Sequence, residues 1–182
     1  MHVQEAIQTR RSYRALKPTE INADVINALA ESAQLAPSCF NNQPWRFVFA
    51  HDTNILETLF EALSKGNQKW AQDASMIVAV FSQDDLDCNI KDRHYSLFDT
   101  GLATGFLLLR ATELGLVVHP IAGYDQDEVK QILDIPEEMQ VIALLVVGEH
   151  DQASPKAEKE KIRPERLPIE KFAFVNQFSE SS

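Results

Sequence analysis

Apolar residues recur along this chain with two different periods. Spacings of three and four residues, which place side chains on one face of an α-helix, mark the segments 2–9, 22–34, 54–64, 99–114 and 125–133. Strand-like segments are 45–50, 76–81, 116–121 and 141–147. The first of these alternates large aromatic residues, whereas MIVAVF and VIALLVV are continuously apolar, which is typical of strands buried on both faces. This mixture predicts one α+β domain over residues 1–182.

Residues at the segment ends support these boundaries. Asn22 and Asp125 carry side chains that cap helix N-termini well. Gly66 and Gly115 stand where glycine commonly ends a helix. The sequence therefore predicts where several helices begin and end, as well as their number.

Two further segments predict contacts beyond a single element. Segment 99–114 is apolar nearly all round, so it predicts a central helix or a helix in a subunit interface. In segment 166–175 apolar residues return at alternating positions, which predicts an arm that pairs with a sheet edge of this subunit or of a partner. The final residues, 179–182, are expected to fray.

A polar loop bounded by prolines connects the second helix to the first strand, in LAPSCFNNQPWRFVFA at 35–50. Pro44 restricts its own φ and favours an extended Gln43. Amide-rich loops held between rigid elements are common ligand-binding positions in α/β proteins. The loop is therefore a candidate ligand site, and an ordinary helix-to-strand connection is the alternative.

Three arginines and a serine lie within five residues, in RRSYR at 10–14. Guanidinium groups present paired donors that match phosphate oxygens, and a serine hydroxyl adds another donor. On a chain with few basic residues, this cluster predicts an anion site. A solvated basic turn that balances the acidic surface is the alternative.

Composition narrows the classes of partner. The formal net charge is −10, from 27 acidic and 17 basic residues, which argues against nucleic-acid binding because that needs clustered positive charge. No apolar run approaches the ~20 residues of a membrane span. The N-terminal stretch MHVQEAIQTRR lacks the apolar core of a signal peptide. We therefore expect a cytoplasmic protein that binds neither nucleic acid nor membrane.

Common catalytic and metal-binding patterns are missing from the sequence. The five histidines never show the i, i+4 spacing of a zinc helix, and Asp84, Asp85 and Asp87 lack the glycine and glutamate of a calcium loop. We interpret the aspartates as a solvated turn and expect no metal. Cys39 and Cys88, the only cysteines, are too few for a disulfide framework or a thiolate metal site. Packing is favoured over a nucleophilic role for Cys39, because no basic partner is near in sequence.

The ordered set of motifs resembles the FMN-dependent nitroreductase family. RRSYR and APSCFNNQPWRFVF resemble the opening of the family, and DTGLATGFLLLRATELGL at 99–116 resembles its central helix. PIAGYD at 120–125 resembles the flavin loop at a strand end, and RPERLPIEKF at 163–172 is similar to the basic C-terminal segment. Each motif is weak alone, but in this order they span nearly the whole chain.

The resemblance implies a fold and a set of binding residues. The fold would be a central mixed, mostly antiparallel sheet flanked by helices, in an intertwined homodimer with FMN at two interface sites. Residues implied for the phosphate and ribityl chain are Arg10, Arg11, Ser12, Arg14, Arg163 and Arg166. Residues implied for the flavin ring are Pro37, Ser38, Cys39 and Asn41 from the other subunit, Asn67 and Lys69 at the pyrimidine edge, and Ile121, Ala122 and Gly123. Phe40 would face the substrate.

The implied reaction is a ping-pong oxidoreduction. NAD(P)H would deliver hydride to flavin N5 and leave, and a nitroaromatic, quinone or similar flat acceptor would then take its place. The flavin carries the electron chemistry while the protein supplies position and charge, so no catalytic side chain is assigned. Two alternatives stay open: another flavin reaction, such as reductive dehalogenation or flavin breakdown, and a flavin-binding or storage protein without turnover.

Overall fold

A computed structural model describes residues 1–179 of the protein; residues 180–182, most of the segment predicted to fray, lie outside the described part. The described helices are α1 (Val3–Thr9), α2 (Ala23–Gln34), α3 (Thr53–Ala62), α4 (Lys65–Ala71), α5 (Ser96–Glu113) and α6 (Gln126–Ile132). The strands are β1 (Leu16–Lys17), β2 (Arg46–Ala50), β3 (Met76–Ser82), β4 (Asn89–Ile90), β5 (Arg93–His94), β6 (Val117–Ile121) and β7 (Gln140–His150).

Strands β3 and β7 form the centre of the main sheet. β3 pairs with β2 on one side and with β7 on the other, and β7 pairs with β6 and β1 along its far edge. A separate hairpin joins β4 to β5. Every ladder in the described residues is antiparallel. The prediction of an α+β fold with a mostly antiparallel sheet flanked by helices is confirmed.

Side chains leave the two faces of the sheet alternately, and this alternation builds two cores. All of β3 is buried, as its continuously apolar sequence predicts. Its odd-numbered apolar residues pack with α3, α4 and α6, and its even-numbered ones pack with α2 and α5. Because strand side chains alternate with a period of two, the result is three layers: helices, sheet and helices.

Local signals set several helix ends. The side chain of Asn22 accepts a hydrogen bond from the Val25 N–H at 3.0 Å, and Asp125 caps α6 in the same way. Both caps were predicted and are confirmed. Gly115 follows α5 with a φ of 80°, a conformation that glycine adopts without steric strain.

Gly66 does not end α3 as predicted but lies inside α4. The reason lies in tertiary contacts of the residues between the two helices. Leu63 is extended and bridges to Tyr124, and the Ser64 N–H donates to the Gly123 carbonyl at 2.9 Å. These contacts stop α3 before the glycine, and the chain then starts a new helix.

Helix α5 is apolar on two sides, but only one side is covered. Ala103, Leu107 and Ala111 are completely buried, whereas Phe98 and Phe106 are 63% and 41% exposed. Contiguous exposed apolar surface commonly marks an interaction site. The exposed side is what an interface helix would present, and the homodimer itself stays a prediction.

The described chain after β7 contains 3₁₀ turns at Ala157–Glu160 and Ile169–Lys171 and no strand. The predicted pairing of arm 166–175 with a sheet edge of this same subunit is therefore wrong for the described residues. Pro168 lacks a backbone donor for such pairing, and the chain before it is bound to the arginine segment described below. Pairing with a partner's sheet stays a prediction.

None of the helices in the described residues is both long and apolar enough to cross a membrane. The longest of them, α5, has 18 residues, and its buried polar residues include Asp99. The expected cytoplasmic location and the expected lack of nucleic-acid binding stay predictions.

Candidate functional site

The arginine segment 10–14 links α1 to β1 and is fastened by the chain that follows β7. Arg11 Nη2 donates to the carbonyls of Glu160 at 2.8 Å and Ile162 at 3.1 Å. The Glu160 carboxylate accepts from the backbone N–H groups of Arg14 at 2.6 Å and Ala15 at 3.3 Å. Residues 10–14 and the chain after β7, which are distant in sequence, therefore form one continuous surface, called the arginine wall below.

This wall borders a cavity of about 1100 Å³ on the α4 side of the sheet. Six of the predicted binding residues line the cavity: Arg10, Arg11, Ser12, Arg14, Lys69 and Arg166. Lining residues that the sequence did not single out for binding are Tyr13, Gly66, Trp70, His119, Pro155, Lys156, Lys159, Glu160, Ile162 and Pro164. The structure thus brings together the predicted cations and adds aromatic residues to them.

Positive charge is concentrated around Arg10. Its pKa is lowered, first by burial and then by repulsion from Arg163, Arg166 and Arg11. Arg163 donates to the Arg10 carbonyl at 3.0 Å, and Arg10 Nη1 donates to Ser12 Oγ at 3.2 Å. Guanidinium groups that repel one another at a cavity wall form a site for an anion with several oxygens.

Acidic side chains neutralise little of the positive charge on this wall. Glu160 is the acidic side chain among the described residues that line the cavity, and its two oxygens are occupied by the backbone N–H groups named above. The charge of the wall is therefore positive on a chain whose overall charge is −10. This contrast favours the anion-site interpretation of the segment over that of a solvated basic turn.

Aromatic rings form another part of the cavity. Trp70, which is 5% exposed, packs on His119 with 4.5 Å between ring centroids, and the Arg14 guanidinium lies 5.9 Å from the Trp70 centroid. Trp70 Nε1 is buried without a hydrogen-bond partner. A buried donor left unpaired is costly, so this atom is available to an acceptor on a bound group.

The surroundings of His119 disfavour its protonated form. Its Nδ1 lies 3.1 Å from the Tyr13 carbonyl. Burial is the largest cause that lowers its pKa, and the charges of Arg14 and Arg10 lower it further. The sequence signal for this residue was its place in the strand before the PIAGYD motif, but the sequence could not show that the strand borders the arginine segment.

The predicted strand-end residues lie beside this cavity without lining it. The Gly123 carbonyl accepts from Asn67 Nδ2 at 3.0 Å as well as from the Ser64 N–H. The Ile121 side chain is 7% exposed and belongs to the core, and Ala122 is exposed. Asn67 thus fixes the loop that follows β6 against α4.

The predicted ring-lining loop does not reach this cavity on the same protomer. Pro37, Ser38, Cys39, Phe40 and Asn41 are absent from its described lining. The resemblance implies that they serve the other subunit's site, and their separation from the cavity agrees with that expectation. The homodimer that would bring them there stays a prediction.

Unusual backbone angles shape the loop. Phe40, Asn41 and Gln43 have φ values of 47°, 59° and 51°, in the left-handed region that costs non-glycine residues energy. The predicted extended conformation of Gln43 is wrong, because its N–H donates to Ser38 Oγ at 3.0 Å. The Phe40 side chain is 89% exposed.

The two cysteines form a disulfide, with 6.0 Å between the Cα atoms of Cys39 and Cys88. This corrects both interpretations of Cys39, since its sulfur is neither a packing thiol nor a free nucleophile. Asp87 is also not part of a solvated turn, because it is 9% exposed. Ligand atoms of these three residues lie within 4.8 Å of one another, but both sulfurs are bonded to each other.

The fold and the cavity define a class of protein: an α+β domain with a cationic, aromatic-walled pocket that suits a phosphorylated ligand. The Nitroreductase family model matches residues 7–76 and 60–149. The chain belongs to this family, so the resemblance is confirmed and the protein is an oxidoreductase by class.

Relatives of similar length cover nearly all of this chain. An Archaeoglobus fulgidus protein, provisionally named NADH dehydrogenase/NAD(P)H nitroreductase, is 29% identical over 178 residues, which cover 91% of this chain and 96% of the relative. The iodotyrosine deiodinase of Thermotoga neapolitana is 28% identical over 178 residues, with coverage of 85% and 90%. A crystal structure of an oxidoreductase containing FMN has 30% identity and a TM-score of 0.84, covering 98% of this chain and 94% of its own.

Proposed function

We propose that this protein is an FMN-dependent oxidoreductase that passes reducing equivalents from NADH or NADPH to nitroaromatic, quinone or similar flat acceptors. The observation that carries the proposal is the cavity in which Arg10 is surrounded by other arginines, in a chain of the nitroreductase family. A similar solved structure is an oxidoreductase containing FMN. When bound, FMN supplies the two-electron exchange with donor and acceptor.

The residues present fit FMN in charge, shape and hydrogen bonding. We assign the phosphate to the arginine wall: Arg10, Arg11, Ser12, Arg14, Arg163 and Arg166. A dianionic phosphate would relieve the repulsion that lowers the Arg10 pKa. The unpaired Trp70 Nε1 offers a donor, and the cavity volume of about 1100 Å³ leaves room for a flat ring system.

The remaining predicted residues are assigned to the ring. Asn67 and Lys69 would serve its pyrimidine edge, where a cation favours the reduced, negatively charged flavin. The segment Ile121–Gly123 would pass along the ring on the same protomer. We assign no side-chain acid or base to the reaction. The role of the protein is then to bind and orient the cofactor and to exclude water.

A homodimer completes the proposed site. The partner subunit would contribute its loop 37–41, with Phe40 at the acceptor position. Two observations support this part of the proposal: Phe40 is 89% exposed in the protomer, and α5 presents uncovered phenylalanines. Burying such side chains in an interface removes apolar surface from water, at about 25 cal/mol per Å².

Reductive dehalogenation is a second candidate reaction. One specific observation favours it: the relative from Thermotoga neapolitana, which covers 85% of this chain, is an iodotyrosine deiodinase. That reaction would use the same bound cofactor and differ in the acceptor. Turnover of halogenated phenols compared with nitroaromatics and quinones distinguishes the two candidates.

The visible absorption spectrum of the purified protein tests the proposal. We expect flavin bands that bleach when NADH or NADPH is added without oxygen and return when a nitroaromatic or quinone is added. Bands that persist with both nucleotides would contradict the oxidoreductase proposal and favour a flavin-binding role. A protein without flavin bands, even after incubation with FMN, would contradict both.

A further inference from the structure

The disulfide is a covalent cross-link between the Ser38–Gln43 loop and the chain that follows β3. Cys39 begins the turn of this loop and Cys88 follows β3, 49 residues further along the chain. The loop is the segment assigned to the acceptor side of the flavin. Whatever controls this bond therefore controls a part of the proposed site.

Hydrogen bonds also hold the loop, and its backbone is strained. The Cys39 N–H donates to Asp99 Oδ2 at 2.7 Å, and Asn42 Nδ2 donates to Asp87 Oδ1 at 3.3 Å. Three non-glycine residues have positive φ, a backbone conformation that costs free energy and persists only where the surroundings impose it. The disulfide therefore opposes the tendency of the loop to relax.

Two neighbouring carboxyl groups are among those that hold the loop noncovalently. Asp99 and Asp87 are both buried, and the pKa of Asp99 is raised, first by burial and then by the hydrogen bond and the charge of Asp87. These two acids cannot both be charged at low cost.

We propose that Cys39 and Cys88 form a reversible thiol–disulfide exchange site, which holds the Ser38–Gln43 loop when oxidised and releases it when reduced by a dithiol. The effect on the loop stands on the observed contacts. Its consequence for FMN and acceptor binding rests on the proposed function.

The exchange is a balanced two-electron reaction. A thiolate of the dithiol attacks Cys39 Sγ, forms a mixed disulfide and expels Cys88 as a thiolate. The second thiol of the reductant then attacks the mixed disulfide, so the reductant leaves as its own disulfide and Cys39 is released. Both protein sulfurs take up protons from water to become thiols.

The surroundings of the two sulfurs support this direction of attack. Asn42 Nδ2 lies 3.5 Å from Cys88 Sγ, where it can donate to the departing thiolate. In the single protomer Cys39 is half-buried and the next two residues of the turn are exposed, so a dithiol can approach it there. The sequence predicts a cytoplasmic protein, and disulfides in that compartment are commonly transient, catalytic or redox-sensing.

The test titrates the full-length protein in buffers of reduced and oxidised dithiothreitol with a chelator present. Free thiols are trapped by alkylation and counted by intact-protein mass spectrometry. Hydrogen exchange of the Cys39–Gln43 amides is measured at both ends of the titration, with β3 as the internal reference. We expect one reversible two-electron transition and at least tenfold faster exchange of the loop amides in the reduced protein, with β3 unchanged.

Three variants provide the controls. Cys88→Ser and Cys39→Ser should show fast loop exchange in both buffers, whereas Ser154→Ala, a change far from the cysteines in sequence, should behave like the wild type. The proposal is overturned if both thiols stay free in every buffer, if reduction requires unfolding of β3, or if loop exchange is unchanged on reduction.

FMN binding is measured on the same samples to separate this proposal from the proposed function. If both hold, we expect reduction to change FMN affinity or acceptor KM by at least threefold. A protein that switches its loop but never binds FMN would contradict the proposed function and leave the exchange site intact. A protein that shows flavin turnover but whose loop exchange is unchanged by the dithiol would contradict the exchange site and leave the proposed function intact.

Discussion

Arg10 carries a charge that its surroundings disfavour, because burial and three other arginines lower its pKa. A side chain of this kind is retained for a ligand more readily than for stability. Replacing Arg10 should therefore weaken ligand binding without lowering the stability of the fold.

We predict that Arg10→Ala weakens FMN binding by about 10-fold to 150-fold, the value of a charge-assisted hydrogen bond of about 1.5–3 kcal/mol. The free energy of unfolding without FMN should stay the same or rise, since a source of repulsion is lost. Fluorescence titration and urea denaturation measure the two effects. Arg93→Ala, in the exposed β5, removes an equal charge outside the cavity and should leave FMN affinity unchanged.

His119 makes stability depend on pH in a defined direction. Its pKa is lowered from the usual value of 6.5, so the unfolded chain binds a proton more readily than the folded one. Stability therefore rises with pH in this range and is lost as the pH falls below 6.5 through the folded pKa.

We predict that His119→Gln reduces this loss. The difference in unfolding free energy between pH 7.5 and pH 5 should be smaller in the variant than in the wild type, measured by urea denaturation at both pH values. Equal pH slopes in the two proteins would show that His119 titrates normally. The comparison removes contributions from the other histidines, because both proteins carry them.

Gly123 is a position where a single methyl group should matter. A Cβ atom there would lie 2.6 Å from Ser64 Oγ and 2.9 Å from Asn67 Nδ2, closer than real contacts allow. We predict that Gly123→Ala lowers the free energy of unfolding by about 1–3 kcal/mol, the usual cost of overpacking.

Gly66→Ala is the matched control for this substitution, measured by thermal or urea unfolding. A Cβ at Gly66 meets nothing within 4 Å, and alanine is the better helix former in α4. The control should therefore be as stable as the wild type or slightly more stable. Similar losses in both variants would contradict the close contact at Gly123.

At the scale of elements, the first turn of α5 supports the turn that begins at Cys39. Asp99 accepts the Cys39 N–H while its pKa is raised above the usual 3.8 by burial and by Asp87. The folded protein thus binds a proton more readily than the unfolded chain here. This contribution to stability is largest below pH 3.8 and is lost as the pH rises through the folded pKa.

Two substitutions of Asp99 separate its hydrogen bond from its charge. Asp99→Asn keeps an acceptor oxygen without a charge, so at pH 7 its free energy of unfolding should equal or exceed that of the wild type. Asp99→Ala leaves the Cys39 N–H without this acceptor and should lose about 1–3 kcal/mol. Urea denaturation measures both, and an asparagine variant as unstable as the alanine variant would contradict the role of charge.

Sequence and structure agree most closely where an element depends on its own residues. The periodicity located β3 and α2, and Asn22 and Asp125 cap their helices as predicted. The prediction failed at Gly66, because α3 ends through bonds to the chain near Gly123 that lie outside any local window.

At the scale of the whole molecule, uncovered apolar surface on α5 and on the C-terminal segment predicts self-association. Phe98 is 63% exposed, and Phe172 and Phe178 are 60% and 71% exposed. We predict that Phe98→Asp raises the dimer dissociation constant at least 100-fold, about 2.7 kcal/mol, because a carboxylate would be buried in the interface.

Sedimentation velocity over a range of concentrations measures this change. Glu138→Ala, an exposed residue after α6, is the control and should sediment like the wild type. FMN affinity should fall together with dimerisation, since the proposed site uses loop 37–41 of the partner subunit. A monomeric wild type, or a Phe98→Asp dimer as tight as the wild type, would contradict the proposed assembly.

The class of fold, the arginine segment and the family could be identified from the sequence alone, because they depend on periodicity and on motifs contiguous in the chain. The three-dimensional fold was needed to show that Trp70, His119 and Glu160 share the cavity with Arg10, and that Cys39 bonds to Cys88. These groups meet because segments far apart in sequence pack against one another. No local pattern of hydrophobic and polar residues records which distant side chain will lie opposite another.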